Sequence, residues 1–223
     1  MNAKYTQEYY QKHLSGAITS AQVILSIISS FYIPSTVLDL GCGVGAWLNV
    51  AKKIFNSKVL GVDQHNFSDM NMLILPDEYI VHNLEKPFFL KCKFDLAISL
   101  EVAEHIDGKY ADIIIESLCN HSDAILFSAA LPMQGGTGHI NEKPCSYWAE
   151  RFAQFDYSPL DCLRPQIWDN SDVEVWYKNN SILFVSQEKK RELERQIPKY
   201  NYPLDIIHPQ MLERIVDRSK KNG

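Results

Sequence analysis

The sequence predicts an α/β fold in which a mostly parallel, seven-stranded sheet carries helices on both faces. Three observations predict it. Short apolar, β-branched runs alternate with stretches of helical character between residues 36 and 185, the order that builds parallel crossovers. The first run, Thr36–Leu40, flows into Gly41-Cys42-Gly43-Val44-Gly45, a turn whose glycines leave no Cβ atoms in the way of a ligand. The second run, Lys58–Asp63, closes on a carboxylate 18 residues beyond that turn. At 223 residues with 46% hydrophobic content, the chain can bury one substantial core with an appendage.

Taken in order, residues 17–33 are the most apolar early stretch, with Ile18, Ala21, Leu25 and Ile28 near helical spacing, so they read as an amphipathic helix laid on the sheet. Polar residues such as Thr19, Ser20 and Gln22 leave the stretch too short and too polar to span a bilayer. The strand Thr36–Leu40 follows, then a helix over 45–55, the strand Lys58–Asp63 and a short strand over 79–82, with Pro76 and Pro87 punctuating the path. A strand over 94–100 leads to a helix over 103–120, a strand over 124–129 and a helix over 143–155, and late strands are expected over 157–163 and 181–185. From Gln187 the character changes to a charged helix around residues 188–195, after which Pro198, Pro203 and Pro209 break the chain before a helix over 210–218. The expected division is a helical segment 1–35 covering sheet and pocket, a core 36–186 and a charged extension 187–223.

Composition removes several function classes. Lysine and arginine number 22 against 27 acids, a net charge of −5, so nucleic acid is not an expected partner. Five widely spaced cysteines at 42, 92, 119, 145 and 162, without a C-x-x-C pair, point to a reducing cytoplasm and away from a zinc knuckle. No apolar core follows Lys4, as a secretion signal would require. The sequence sets no oligomeric state.

In a parallel sheet of this kind ligands bind beyond the C-terminal ends of the strands. That rule gathers Asp39, Asp63, Asn83, Glu101 and the segment after Ala130 on one rim. Gly41, Gly43 and Ala46 satisfy the permissive dinucleotide fingerprint, which keeps an NAD(P)-dependent oxidoreductase in play. Asp39 argues against it, because an acid two residues before the first glycine is badly placed for a pyrophosphate. A cationic sulfonium with an amino-acid tail tolerates that acid. Asp39-Leu40-Gly41-Cys42-Gly43-Val44-Gly45 is similar to motif I of class I S-adenosylmethionine (SAM) methyltransferases, a family with a Rossmann-like fold, and Asp63 matches its ribose-binding acid. The resemblance implies SAM contacts from Asp39, Gly41, Cys42, Gly43, Gly45, Trp47, Asp63, Gln64 and Leu100, with Asn83 and Leu84 beside the adenine. Asparagine stands at position 83 where the family often carries an acid, and a loop asparagine satisfying its own turn explains it equally well.

Glu101-Val102-Ala103-Glu104-His105 follows the fourth strand, and on a helical turn its i, i+3, i+4 spacing puts Glu101, Glu104 and His105 on one side. Two carboxylates there repel unless neutralised, which a divalent cation does while accepting the imidazole. His139, in the glycine-rich loop after the fifth strand, supplies a further ligand. The E-x-x-E-H run with a later histidine resembles the metal site of small-RNA 3′-terminal 2′-O-methyltransferases and ubiquinone-biosynthesis O-methyltransferases, implying Mg²⁺ or another divalent cation on Glu101, Glu104, His105 and His139. Packing and dipole roles for the same residues stay open. Without metal, His139 is the best general base, with Glu101 and His105 beside it.

On the acceptor side, residues 128–144 form a glycine-rich loop leading to Tyr147 and Trp148, and later segments set aromatics beside polar groups. These segments resemble bacterial methyltransferases associated with glycan biosynthesis, a similarity running from Asp39 to about Val185. Aromatic faces beside amides, arginines and acids suit polyols, which makes Asn141, Tyr147, Trp148, Arg164 and Trp168 candidate acceptor contacts, with Tyr10 and His13 positioned to close over the pocket. Each tryptophan has a core-anchor reading as well, and Arg164 could pair with a neighbouring acid instead of a substrate anion. The resulting expectation is a cytoplasmic SAM-dependent O-methyltransferase acting on a hydroxyl of a sugar-like small molecule. An oxidoreductase, an RNA 2′-O-methyltransferase and a non-catalytic SAM-fold binding module are the alternatives.

Overall fold

The structure is a computed structural model that describes residues 7–67, 71–198, 200 and 202–222, with side chains from residue 14 to residue 220. A seven-stranded sheet of order β3-β2-β1-β4-β5-β7-β6 forms its centre, built from β1 (Thr36–Leu40), β2 (Lys58–Asp63), β3 (Tyr79–Val81), β4 (Leu96–Leu100), β5 (Ala124–Ser128), β6 (Tyr157–Leu160) and β7 (Ile182–Ser186). The five strands from β3 to β5 run parallel, and β7 pairs antiparallel with both β5 and β6.

The sequence dictates this burial directly. β4 and β5 are covered on both faces, so they read as near-continuous apolar runs broken only by the buried serines Ser99 and Ser128, and successive residues face opposite layers. Ala124 and Leu126 face one layer, formed by α1 (Gln7–Ser29) and α2 (Ala46–Phe55) through Ile24, Leu25, Ile28, Leu48 and Ala51. Ile125 and Phe127 face the other, formed by α3 (Ala111–His121) and α4 (Cys145–Ala153) through Ile115, Leu118, Trp148 and Phe152. Phe152 stacks on Phe184 of β7 with ring centroids 4.1 Å apart. Aromatics of this size contribute about 0.5–1.5 kcal/mol per pair beyond their buried area.

Several expected boundaries shift for identifiable reasons. The helix expected over 103–120 is interrupted: single 3₁₀ turns occupy Ala103–His105 and Gly108–Tyr110, and α3 begins only at Ala111. Glu101 has φ of 54°, which turns the chain sharply out of β4, and the Asp107 side chain accepts from the Lys109 amide to cap a separate turn. The strand expected over 157–163 stops at Leu160, and two short helices unannounced by periodicity follow, α5 (Arg164–Ile167) and α6 (Val175–Asn180). The charged helix is α7 (Gln187–Leu193), capped by Ser186 accepting from the Lys189 amide, and the last is α8 (Pro209–Asn222). Met211 and Ile215 of α8 pack on Val175 and Leu131, bringing the C-terminal segment against the rim of the sheet.

Candidate active site

The rim is shaped first by the turn after β1. Gly41 has φ of 90° and sits against Val102, so a Cβ there would meet both strain and collision, and Gly43 and Gly45 also hold positive φ. The Gly41 amide donates to Val62 O at 2.7 Å, and the Gly43 amide donates to Asp63 Oδ2 at 3.0 Å. Asp63 Oδ1 accepts from the His65 amide at 3.0 Å and contacts His65 Nδ1 at the same distance, and this carboxylate raises the imidazole's pKa. Above the turn opens a cleft of about 410 Å³, a size common for small-molecule sites. Gly41, Cys42, Gly43, Trp47, Asp63, Gln64, Leu84 and Leu100 line it, eight of the residues the sequence proposes for a cofactor.

Three others of that set lie elsewhere. Asp39 is buried beneath the turn, where burial, reinforced by Asp63, pushes its carboxyl well above the usual carboxylate range. Gly45 is the residue before α2, backed by Ile74. Asn83 is exposed and its Oδ1 accepts from the Glu85 amide at 2.9 Å, the self-satisfied turn that its residue type allows.

The far wall of the cleft carries Glu101, Glu104, His105 and His139. The Glu101 carboxylate accepts from Gln134 Nε2 at 2.8 Å and from Asn180 Nδ2 at 3.1 Å, and its burial raises its pKa. Glu104 is fully buried, and neither carboxylate oxygen has a partner at hydrogen-bond geometry; its own amide, that of Ala130 and the Glu101 carboxyl are its polar neighbours. Burial, with Glu101 adding to it, pushes Glu104 well above the ordinary range. Burial also lowers His105, to about 4, with His139 contributing. The two imidazoles meet edge to face with centroids 4.8 Å apart. His139 places Nε2 4.0 Å from Glu104 Oε1, while its Nδ1 lies 2.8 Å from Glu142 Oε1.

One donor atom each from Glu104, His105 and His139 falls within 4.8 Å of the others. An orphaned buried carboxylate beside two imidazoles is a donor set that fits a divalent cation of the borderline class, because the ion would supply the positive charge that Glu104 lacks. Glu101 differs from the expected ligand set, since two side-chain amides already hold it.

Most of the proposed acceptor contacts do not reach the cleft. Trp148 is a core residue against Phe127, with centroids 5.3 Å apart. Arg164 is buried in a bidentate pair with Asp161, its Nη2 2.7 Å from Oδ2. Trp168 packs on His208, and Tyr147 lies against the Arg151 guanidinium. Asn141 is buried, its amide donating to Glu104 O at 3.0 Å, so it fastens the loop and does not face a ligand. Tyr10 and His13 lie on the first turns of α1, where side chains are outside the described residues. Residues beyond the individually proposed contacts complete the cleft: Tyr177, edge-on to Trp47 at 5.2 Å, and Trp176 from a late aromatic segment, Gln134 from the glycine-rich loop, and Ile106, which the sequence did not mark. The run Val175-Trp176-Tyr177 held the signal, since it sets aromatics beside polar residues, but it sits on a helix too short to show a period.

Fold and sequence comparisons agree on the class. Residues 38–118 match the family profile described as a methyltransferase domain, and the seven-stranded, mostly parallel sheet has the Rossmann-like order of the similar solved structures. Similar solved structures include the PKMT2 protein of Rickettsia typhi (15% identity, TM-score 0.54, 77% of this chain and 53% of that one), also solved in complex with AdoHcy. An O-methyltransferase family protein of Burkholderia thailandensis aligns at 11% identity and TM-score 0.56 over 82% of this chain and 60% of its own. The sugar N-methyltransferase KedS8 of a Streptoalloteichus species aligns at 12% identity and TM-score 0.59 over 83% and 94%. The chain thus spans little more than half the length of the first two. No curated protein matches the sequence.

Proposed function

We propose that this protein transfers the methyl group of SAM to a hydroxyl of a sugar-like small molecule. The observation that carries the reading is that one cleft joins the glycine turn and Asp63 on one wall to Glu104, His105 and His139 on the other. SAM supplies an electrophilic methyl carbon when bound. The residues of the chain would supply the rest: Asp63 would hold the ribose hydroxyls, Leu84, Leu100 and Ile106 would pack on the base, and the glycine turn would take the amino-acid tail. Methyl transfer is an in-line displacement, so alignment matters most, and it contributes up to about 7–11 kcal/mol. An alcohol must also lose its proton, and His139, which lines the cleft with Nδ1 tied to Glu142 and Nε2 4.0 Å from Glu104, is the imidazole that would take it. Where a divalent cation takes part, Glu104, His105 and His139 hold it, and it supplies Lewis acidity to the acceptor oxygen.

The experiment is a screen of sugars and sugar phosphates with methyl-labelled SAM, run with and without chelator. O-methylated product in the wild type, lost in His139→Ala, is the expected result. Binding of NADH with none of SAM or S-adenosylhomocysteine would overturn it, and full turnover in excess chelator would remove the metal.

A further inference from the structure

Beside the cleft lies a second hollow of about 570 Å³, bounded by the 133–142 loop and by Ile215, Arg218 and Ser219 of α8. The two spaces share Gly135, Gly136 and His139, so the glycine-rich loop is their common wall. Two adjacent glycines make the wall thin. A Cβ on Gly135 would collide with the Arg218 guanidinium, and a Cβ on Gly136 would collide with the His139 imidazole. A cationic fork from α8 and the candidate base therefore pack against two consecutive glycines of one loop.

The charges in the hollow are unevenly spent. Arg218 donates to Gln134 O at 3.3 Å, and among the described residues no carboxylate lies within ion-pair distance of it. A guanidinium carries five donors in a planar fork matched to an oxyanion, so most of this one is uncommitted. The acid on the same wall, Glu142, is already occupied: it accepts from the amides of Met133 and Gly135 and contacts His139 Nδ1. Its oxygens are thus already engaged inside the loop, leaving Arg218 as the group with unmet donors. Met133 and Ile140 stand exposed at the rim, flanking the entrance.

We infer that this hollow is a subsite for an oxyanion, a phosphate or carboxylate carried by the methyl acceptor, and that Arg218 reads its charge. Its role in holding an acceptor rests on the methyltransferase reading; the anion site does not. Arg218 and His139 both line the hollow, so an acceptor held there by its charged group on Arg218 would present its hydroxyl to His139. Such binding would fix the direction from which the hydroxyl approaches, which is what an in-line displacement requires.

The test is a set of titrations of ¹⁵N-labelled protein with inorganic phosphate, with acetate, and with S-adenosylhomocysteine. Saturable shifts at the Gly135 and Gly136 amides and at Arg218 Nε–H are expected with at least one anion, the stronger response naming phosphate or carboxylate. In Arg218→Gln the anion Kd should weaken at least tenfold, and Arg218→Lys should recover part of the loss as a point charge without the fork. S-adenosylhomocysteine should still move Gly41 and Gly43 in both variants. Absence of saturable anion shifts in the wild type, or an unchanged Kd in Arg218→Gln, overturns the subsite. Anion shifts at Gly135 with no response of Gly41 to S-adenosylhomocysteine would leave the subsite standing and sink the methyltransferase reading.

Discussion

At the scale of single residues, the pair His65–Asp63 ties the candidate ribose site to pH. Asp63 lies 3.0 Å from the His65 imidazole, and its hydrogen bond raises the imidazole's pKa above the ordinary value. A histidine whose folded pKa is raised adds stability that is complete below the unfolded value, about 6.5, and fades as pH rises through the folded value. The difference in melting temperature between wild type and His65→Asn should therefore be largest near pH 5.5 and shrink toward pH 8.5. A difference that stays flat over that range would dismiss the pair as a stabilising contact. Residue identity alone could not have shown this partnership, because Asp63 was legible as a strand-end carboxylate whereas His65 sits in the following bend, where no spacing rule applies. The same holds for Asn83 and Asp39. Their types were visible, but whether each faces the cleft depended on one turn's dihedral angles.

Among the elements, the parallel strands were the easiest to read. Burial on both faces favours near-continuous apolar runs, and β1 and β2 fall within the predicted bounds. The short helices α5 and α6 were illegible, since four and six residues complete too few turns to show a period. Their placement decides what Arg164 does. It donates from Nη1 to Leu204 O at 2.8 Å and to Asn179 O at 3.3 Å, and from Nη2 to Pro203 O at 3.3 Å, while Asp161 balances its charge. An arginine expected to meet a substrate is instead the pin that joins α5, the end of α6 and the approach to α8. Arg164→Met should cost about 3–5 kcal/mol, the usual penalty for leaving one member of a buried pair alone. Urea denaturation would show it as a lowered midpoint, with faster proteolysis around residues 203–208. An unchanged midpoint would mean that the pin carries no stability.

At the scale of the whole molecule, the cleft forms where β1, β2 and β4 end, with Trp176 and Tyr177 of α6 in its lining, so a ligand there contacts segments far apart in sequence and only in the folded chain. Ligand that binds the native state alone stabilises it by about 2.7 kcal/mol at a hundredfold excess over Kd. S-adenosylhomocysteine should accordingly raise the melting temperature in a concentration-dependent manner, and Asp63→Ala should remove most of the rise. A melting temperature indifferent to the ligand would count against the cofactor assignment. One feature of the rim bears on how the protein would respond to selection. Glu101 is a non-glycine residue at φ of 54°, a conformation that costs an L-residue about 1–2 kcal/mol, and it is held there while its carboxylate is clasped by Gln134 and Asn180. A library screened for thermal tolerance alone should enrich glycine or asparagine at position 101, because either relaxes the backbone. Such winners would be hardier and would have discarded a carboxylate, with its clasp by Gln134 and Asn180, from the wall facing the glycine turn.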